Sequence, residues 1–351
     1  MRKHKSPLDF SLARRKFRAD TETAGFFLSV HASLASEDIG TLMKAVRSHV
    51  RGGPESLIYE YAPNPEIRLG DALVRVYAAG ITPTEFTWNS TWISSEGKDR
   101  RPIVPSFEVS GVVEKVAPDV SDLRVGDAVY GLLNFWRDGA AAEYVAARAA
   151  DMAPKPKSLD HIHAAAVPLS GLTAWQGLFD HAGLATGERV LIQGAAGGVG
   201  TWAVQFAHWR GAYVIGTASQ RNAAFLHELG ADEVVNYIAV RFEDVVRDVD
   251  AVLDTVGGDT LERSWGVVRK GGVLVTVAGD VTEEKAAKYG VRGASILVQP
   301  NRAQLTQIAQ LIDAGTVRPI VEDVYPLARA REAYERGLLG HNRGKLVLQI
   351  Q

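Results

Sequence analysis

The segment LIQGAAGGVG, residues 191–200, ends an apolar run in small residues and can bring a ligand against the main chain. The dinucleotide-binding fingerprint is G-x-G-x-x-G between a strand and a helix, and Ala195 occupies its first glycine position here. Gly197 permits close approach of a diphosphate, and Gly200 permits close packing of the helix on the strand. The positive N-terminus of a helix beginning near Val199 would face the phosphates. We predict that four residues contact a dinucleotide, namely Ala196, Gly197, Gly198 and Val199; the alternative is a tight turn that binds no ligand.

The residues after the second strand of this unit predict which dinucleotide binds. NAD sites usually place Asp or Glu there to accept a hydrogen bond from the ribose 2′-hydroxyl. This chain has no carboxylate between Gly200 and Glu228, and Ser219 and Arg221 lie at the end of the strand. A hydroxyl and a guanidinium suit a 2′-phosphate, because hydrogen bonds to charged groups contribute about 1.5–3 kcal/mol each. We therefore predict NADP(H) as the cofactor; the alternative places Arg221 in solvent at a helix start.

Alternating strand and helix patterns surround the glycine segment from about Ala164 onwards. Apolar runs rich in Val, Ile and Leu predict strands, and amphipathic segments between them predict helices. The runs are residues 189–194, 212–218, 232–237, 250–258, 271–279 and 293–298. Strands of this kind that alternate with helices predict a parallel sheet covered on both faces. The predicted fold class is α/β with a doubly wound sheet that presents the glycine segment.

The part of the chain before this unit has a different pattern, with short strands separated by turns. Residues 72–80, 109–120 and 140–147 predict strands, and Gly126-Asp127 predicts a tight turn. This pattern predicts a small β-barrel or sandwich from Met43 to about Ala153. After the parallel sheet, an amphipathic helix and a closing strand end the chain.

The composition excludes several classes of function. The chain has 351 residues, a length that indicates two domains. Its net charge of −2 indicates no surplus of basic residues for binding nucleic acid. No apolar stretch reaches the roughly 18 residues that a membrane span needs. There is no cysteine, which excludes a disulfide framework, a thiol nucleophile and a thiolate metal site.

Residues 1–42 differ from the rest, being basic at first and mildly apolar later. Asp20 and Glu22 separate the two parts and His31 interrupts the apolar part, which argues against a signal peptide. An organelle transit peptide would be rich in Arg and Ser and poor in acidic residues, and the segment meets this description only in part. We predict a poorly ordered extension, or a misassigned start, and a cytoplasmic location.

Eight segments together resemble the zinc-free quinone oxidoreductase branch of the medium-chain dehydrogenase/reductases, from Met43 to the end. They are GPESLIYEYAPNPEIRLGDALVRVYAAGITPTEF, PSFEVSGVVEKV, LRVGDAVYG, AAEYVA, GLTAWQGLF, GAAGGVG, DTVGG and GKLVL. The resemblance implies a GroES-like β-barrel catalytic domain, residues 43–165 and 300–351, and a Rossmann-type NADP-binding domain, residues 166–299. It also implies a cleft between the domains and a homodimer formed through edge strands near residues 294–298.

The same resemblance implies further cofactor contacts. Thr173 would lie near the nicotinamide or pyrophosphate and Tyr237 beside the adenosine phosphate. The ribose would be contacted by Val256 and Gly257, and Asn342 and Lys345 would reach back to the cofactor. The alternatives are packing for Thr173 and Tyr237 and a surface charge for Lys345.

Two departures from the family bear on the chemistry. Zinc-dependent relatives carry Gly-His-Glu where this chain has Ser106-Phe107-Glu108, so Phe107 replaces a histidine ligand and we predict no metal site. The family usually has Asn, facing the substrate, at the position of Thr82. Threonine keeps a hydroxyl donor on a shorter side chain.

These features together predict hydride transfer from NADPH to a quinone or an α,β-unsaturated carbonyl without zinc. A conjugated acceptor spreads the developing charge over an enolate or quinol, so modest hydrogen-bond donors suffice. Thr82 is the first candidate donor and Tyr130 a weaker one, for which barrel packing is the alternative. The competing functions are a metal-free NADP-dependent alcohol or carbonyl dehydrogenase and an NADPH-binding sensor without turnover.

Overall fold

The computed structural model describes residues 42–351, of which residues 43–351 form one compact unit. The predicted poorly ordered extension, residues 1–42, lies outside the described residues except for Leu42, where the first strand begins. Within the described part, no helix is both long enough and apolar enough to cross a bilayer.

The described strands belong to three sheets. In chain order they are β1 Leu42–Ser48, β2 Leu57–Pro63, β3 Asp71–Ile81, β4 Glu108–Val116, β5 Ala128–Leu132, β6 Tyr144–Arg148, β7 Met152–Pro154, β8 Arg189–Gln193, β9 Tyr213–Ala218, β10 Glu233–Asn236, β11 Val249–Asp254, β12 Val268–Thr276, β13 Arg292–Ser295, β14 Val321–Pro326 and β15 Lys345–Gln349.

Most described helices connect these strands. The α-helices are α1 Asn89–Trp92, α2 His161–Ala165, α3 Pro168–Trp175, α4 Gly198–Arg210, α5 Ala223–Glu228, α6 Phe242–Val245, α7 Gly258–Ser264, α8 Glu283–Tyr289, α9 Arg302–Asp313 and α10 Ala330–Leu338. A π-helix, Gln176–His181, continues α3, and a 3₁₀-helix, Pro83–Thr87, follows β3.

The first large sheet has the order β14-β15-β3-β4-β5-β7, with β6 also paired to β3. All its pairs are antiparallel except β14 with β15. The C-terminal strand β15 lies beside β3 with Leu346 opposite Ile81. This pairing brings Lys345, the first residue of β15, next to Thr82, the residue after β3.

The second large sheet is parallel, with the order β10-β9-β8-β11-β12-β13. Its central strand β8 buries Val190, Leu191 and Ile192 completely, because helices cover both faces. The strand order reverses between β8 and β11, and open α/β sheets bind ligands at the carboxyl ends of the strands beside such a point. The predicted α/β class is confirmed. The domain boundaries, residues 43–165 with 300–351 and residues 166–299, remain our proposal.

Helix α4 starts immediately after the turn that follows β8. Its buried face includes Ala203, Phe206 and Ala207, as its apolar periodicity predicts. Gly211 follows the helix with φ +78°, and its N–H donates to the carbonyls of Ala207 and His208. Glycine adopts this left-handed conformation at little cost, so it ends the helix here.

Candidate active site

The glycine turn between β8 and α4 is built from contacts that exclude side chains. Ala195 occupies the first glycine position of the fingerprint. The glycine with the left-handed conformation that the turn needs is Gly194, one position earlier, with φ +69°. A Cβ atom on Gly200 would lie 2.2 Å from the Gly194 carbonyl oxygen, closer than real Cβ atoms approach. Gly200 is therefore required by the close passage of the helix over the turn, as the sequence predicts.

A cavity of about 980 Å³ opens beside this turn. The first N–H groups of α4 have no partner within the helix and carry its positive end, so an anion is favoured there. Several predicted contact residues line the cavity, namely Ala196, Gly197, Ser219, Tyr237, Val256 and Asn342. The side chains of Tyr237 and Val256 are about half exposed toward it, at 48% and 53%.

Other predicted cofactor residues are not among those that line the cavity. Gly198 and Val199 form the first turn of α4. Gly257 has φ +76°, and a Cβ atom there would lie 2.1 Å from the Ala278 carbonyl oxygen. The backbone conformation and the lack of space therefore explain why this residue is glycine. Thr173 is buried in α3, and its hydroxyl donates to the Leu169 carbonyl at 2.6 Å.

Two arginines join the end of β9 to the segment that precedes β15. Arg221 donates from Nη2 to the His341 carbonyl at 2.8 Å. Arg343 donates from Nη2 to the Arg221 carbonyl at 2.8 Å and from Nε to Asn222 Oδ1 at 2.7 Å. Arg221 is exposed and is not among the residues that line the cavity, whereas Ser219 is. The sequence alone did not point to Arg343, because no motif marks it.

The cavity wall also contains residues that the sequence analysis missed. They come from loops and from the helices α6 and α7, which carry no fingerprint, and they include Asn222, Arg241, Phe242, Thr255, Asp259, Thr260, Arg263 and His341. The one lining carboxylate, Asp259, accepts from Arg263 Nε at 2.8 Å. Its charge is therefore compensated by a neighbouring side chain on the same helix, α7.

Lys345 is buried, so the alternative interpretation of this residue as a surface charge is wrong. Its side chain is only 7% exposed and forms an ion pair with Glu108, which is fully buried. Its Nζ also donates to the Ile81 carbonyl at 2.8 Å and to Thr82 Oγ1 at 3.3 Å. A Cβ atom on Gly198 would lie 3.1 Å from Lys345 Cδ, so the lysine stem runs from the glycine turn to Thr82.

Tyr130, the second candidate donor, faces away from this cluster. It is fully buried, and its hydroxyl donates to the Leu305 carbonyl in α9 at 2.6 Å. Burial raises the pKa of this phenol well above its ordinary value. Its hydroxyl therefore helps to pack the sheet against α9, as the alternative of barrel packing predicted. The assignment of Tyr130 as a donor to the substrate is corrected accordingly.

Aromatic side chains surround Phe107, which occupies the position of the histidine ligand in zinc-dependent relatives. Phe107 stacks on Trp88, with ring centroids 6.2 Å apart, and meets Phe135 edge-on at 5.3 Å. Trp88 is half-buried and also contacts Phe135. Across residues 42–351, no group of three or more His, Asp or Glu side chains is placed to hold a metal ion.

A buried carboxyl lies behind Thr82. Glu85 is fully buried, is hydrogen-bonded to the Tyr334 hydroxyl and accepts from the Ser106 N–H at 3.3 Å. Burial is the main cause that raises the Glu85 pKa from 4.5 to about 8, while Tyr334 and Ser106 oppose the rise. No sequence pattern indicates this group, because Glu85 and Tyr334 are far apart in the chain.

The raised Glu85 pKa predicts that stability falls as pH rises from about 4.5 to about 8. In that window the folded chain holds a proton that the unfolded chain has released, so the free energy of unfolding decreases by up to about 1 kcal/mol per pH unit. Urea unfolding of the wild type and of Glu85→Gln between pH 5 and 9 measures this. The variant should lose this part of the slope, and an unchanged slope in Glu85→Gln would show that other groups cause it.

Two parts of the chain match families of known proteins. Residues 68–157 match the alcohol dehydrogenase GroES-like domain, and residues 229–348 match the family described as zinc-binding dehydrogenase. The first match coincides with the antiparallel sheet and the second with the later strands of both sheets. The GroES-like and Rossmann-type architecture implied by the sequence is thereby confirmed.

Curated relatives cover most of the chain. A probable zinc-binding oxidoreductase, mitochondrial, of Arthroderma benhamiae is 35% identical over 305 residues, which is 82% of this chain and 91% of the relative. A mitochondrial NAD(P)H oxidoreductase of Homo sapiens is 31% identical, over 80% of this chain and 82% of the relative. A 2-methylene-furan-3-one reductase of Solanum lycopersicum is 33% identical, over 81% of this chain and 73% of the relative.

The fold is shared with solved structures. The quinone oxidoreductase from Coxiella burnetii superposes with a TM-score of 0.83 at 33% identity, over 88% of this chain and all of the other. This likeness extends through both sheets, so the relation is not restricted to the nucleotide-binding turn.

The predicted cytoplasmic location is wrong. The relatives from Arthroderma benhamiae and Homo sapiens, and those from Danio rerio and Mus musculus, are named as mitochondrial. The composition of residues 1–42 meets the description of a transit peptide only in part, and composition alone is a weak guide to targeting. The family matches, the relatives and the shared fold show that the chain belongs to the medium-chain dehydrogenase/reductase superfamily, as an oxidoreductase that uses a nicotinamide cofactor and has quinone and enone reductase relatives.

Proposed function

We propose that the protein reduces a quinone or an α,β-unsaturated carbonyl with NADPH and without zinc. The observation that carries this proposal is the packing of Phe107 against Trp88 and Phe135, where zinc-dependent relatives have a ligand. The chain has no cysteine that could replace that ligand. Flat apolar rings suit a planar conjugated acceptor better than an aliphatic alcohol.

The chain's own residues fit a bound NADPH. Glycines 197 and 200 leave the main chain bare beside the α4 N-terminus, where the diphosphate would lie. Ser219 and Arg221 would hold the 2′-phosphate, with Arg343 fixing the loop that carries Arg221. Tyr237, Val256 and Asn342 would contact the adenosine and ribose parts in the cavity. Thr173 and Gly257 would support the nicotinamide half from behind.

A bound NADPH would supply a hydride to the acceptor's β carbon. The negative charge would then develop on the conjugated carbonyl oxygen, and a proton from water would neutralise it. The Thr82 hydroxyl donates a hydrogen bond to that oxygen as its negative charge develops. A donor placed in advance stabilises such charge without reorganisation. Trp88 and Phe107 form the apolar wall that excludes water from the acceptor.

A panel of acceptors tests the proposed function. We expect NADPH consumption with 1,4-benzoquinone or 2-cyclohexenone and none with simple saturated ketones. Consumption of saturated ketones would instead identify a metal-free carbonyl dehydrogenase. Tight NADPH binding with no turnover of any acceptor would identify a sensor.

Removing the Thr82 hydroxyl should slow the reaction specifically. We expect Thr82→Val to lower kcat by about tenfold to a hundredfold, because one hydrogen bond to a charged oxygen is lost. Thr82→Ser should retain most of the activity. Tyr130→Phe is the control, because its hydroxyl contacts the Leu305 carbonyl and should affect stability alone. Equal losses of kcat in Thr82→Val and Tyr130→Phe would remove Thr82 from the proposed role.

The relatives also support a mitochondrial location, which we propose for this chain. Transit peptides are rich in Arg, and residues 1–20 contain Arg14, Arg15 and Arg18. A full-length chain with a C-terminal fluorescent tag should colocalise with mitochondria, and a chain that starts at Met43 should not. Cytosolic fluorescence of the full-length chain would contradict this.

We further propose a homodimer that forms through β13. This strand lies at the edge of the parallel sheet, so its outer N–H and C=O groups have no strand partner in the described chain. Edge strands pair readily with a second copy.

A further inference from the structure

The Lys345 ammonium has three acceptors in the structure. They are the Glu108 carboxylate, the Ile81 carbonyl and Thr82 Oγ1. An ammonium has three N–H donors and no acceptor. Two donors are used by the Ile81 carbonyl and Thr82 Oγ1, and the ammonium also lies beside the Glu108 carboxylate as an ion pair. The ammonium therefore contacts Thr82, whereas the family resemblance implies a cofactor contact for Lys345.

The direction of the hydrogen bond to Thr82 follows from the same chemistry. Because the ammonium can only donate, Thr82 Oγ1 must accept from Lys345. The Thr82 O–H is then free to donate to another group. Thr82 is partly exposed while Lys345 is buried. A hydroxyl that accepts from Lys345 has its own O–H turned away from the ammonium.

We propose that Lys345 is a positioning residue that orients and polarises the Thr82 hydroxyl toward the acceptor oxygen. The inference rests on the proposed function, because it needs an acceptor whose oxygen becomes negative. The ammonium charge lies 3.3 Å from Thr82 Oγ1 and strengthens the O–H as a donor. No proton leaves Lys345 in this scheme, and water still protonates the product.

Glu108 holds the ammonium in place. One carboxylate oxygen pairs with Lys345, and the other accepts from the Leu169 N–H at the start of α3 at 2.9 Å. A Cβ atom on Gly80 would lie 2.7 Å from Glu108 Oε2, so the neighbouring strand leaves the carboxylate little freedom. The ion pair thus links the direction of the Thr82 hydroxyl to the start of α3 and to strand β3.

A double-mutant cycle on the full chain tests this inference. The four proteins are wild type, Thr82→Val, Lys345→Met with Glu108→Gln, and the triple variant, assayed with NADPH and whichever of 2-cyclohexenone or 1,4-benzoquinone the wild type reduces. Replacing both members of the pair avoids leaving a buried charge. We expect the paired variant to lose about tenfold to a hundredfold in kcat, because the charge-assisted hydrogen bond that orients the Thr82 hydroxyl is lost. In the Thr82→Val background the same change should cost less than about twofold, because contacting residues are not additive.

NADPH affinity separates this role from cofactor binding. We expect the dissociation constant of NADPH, measured by fluorescence titration, to stay within about twofold in the paired variant, because only a transition-state contact is lost. Independent losses of kcat in the two backgrounds, or a weakened NADPH affinity that accounts for the loss, would overturn the inference. If the wild type reduces neither acceptor, the proposed function fails and the inference falls with it.

A second pair of substitutions keeps the test decisive if the first variant does not fold. Lys345→Gln with Glu108→Gln keeps hydrogen-bonding groups at both positions but removes both charges. We expect this pair to lose kcat in the wild-type background and almost none in Thr82→Val. Full kcat in this pair, with an unchanged melting temperature, would show that the ammonium has no part in orienting Thr82.

Discussion

Lys345→Met alone is expected to lower the free energy of unfolding by about 3–5 kcal/mol, because it leaves the fully buried Glu108 carboxylate without its cation. The methionine can keep the contacts that the lysine stem makes beside Gly198, so the loss reports the charge rather than the packing. Urea unfolding at neutral pH, followed by circular dichroism, measures it.

The matched control is the paired variant in which Glu108→Gln accompanies Lys345→Met. Neutral buried pairs often match or exceed the stability of ion pairs, so most of the lost stability should return. Equal destabilisation by the single and the paired substitutions would mean that shape, not the uncompensated carboxylate, determines the effect.

Arg221→Asp is expected to raise the dissociation constant of NADPH by about tenfold to a hundredfold, because a charge-assisted hydrogen bond is lost and a like charge is added. NADH lacks the 2′-phosphate, so its affinity should change by less than about threefold. Titrations of both cofactors against the same protein give the ratio directly. Arg221 also donates to the His341 carbonyl, so the melting temperature should be recorded alongside.

Arg247→Asp is the matched control for this substitution. Arg247 is exposed and precedes β11 at the opposite end of the sheet from the cavity, yet its replacement changes the net charge equally. We expect no change in the NADPH-to-NADH ratio. A similar change in both variants would show that overall charge explains the preference, and equal losses of both cofactors in Arg221→Asp would remove Arg221 from the site.

The sequence predicted those parts of the fold and of the site that are formed by residues close together in the chain. The strand β8, the glycine turn and α4 follow one another directly, so periodicity and glycine spacing predicted all three. The fingerprint did miss the turn glycine, because Gly194 takes the left-handed conformation one position early. The apolar strands of the parallel sheet were predicted for the same local reason.

The surroundings of Thr82 could not be predicted in this way. Lys345 reaches Thr82 only because β15 pairs with β3, which lies more than 260 residues earlier in the chain. The hydrogen bond of Tyr130 to the Leu305 carbonyl joins it to a helix distant in the chain, so the sequence could not show that its hydroxyl is already used. Glu85 and Tyr334 likewise meet through tertiary packing alone. Side-chain partners from remote segments decide whether a polar residue is available for chemistry, and no local pattern records them.

The measurement that tests the account most directly is NADPH oxidation by the chelator-dialysed full-length protein, with its zinc content determined, in the presence of 2-cyclohexenone or cyclohexanone. These acceptors share a ring and a carbonyl and differ in the conjugated double bond. The account predicts that the enone is reduced at an undiminished rate without zinc and that the saturated ketone is not consumed. Activity that requires stoichiometric zinc, or equal reduction of the two ketones, would contradict it.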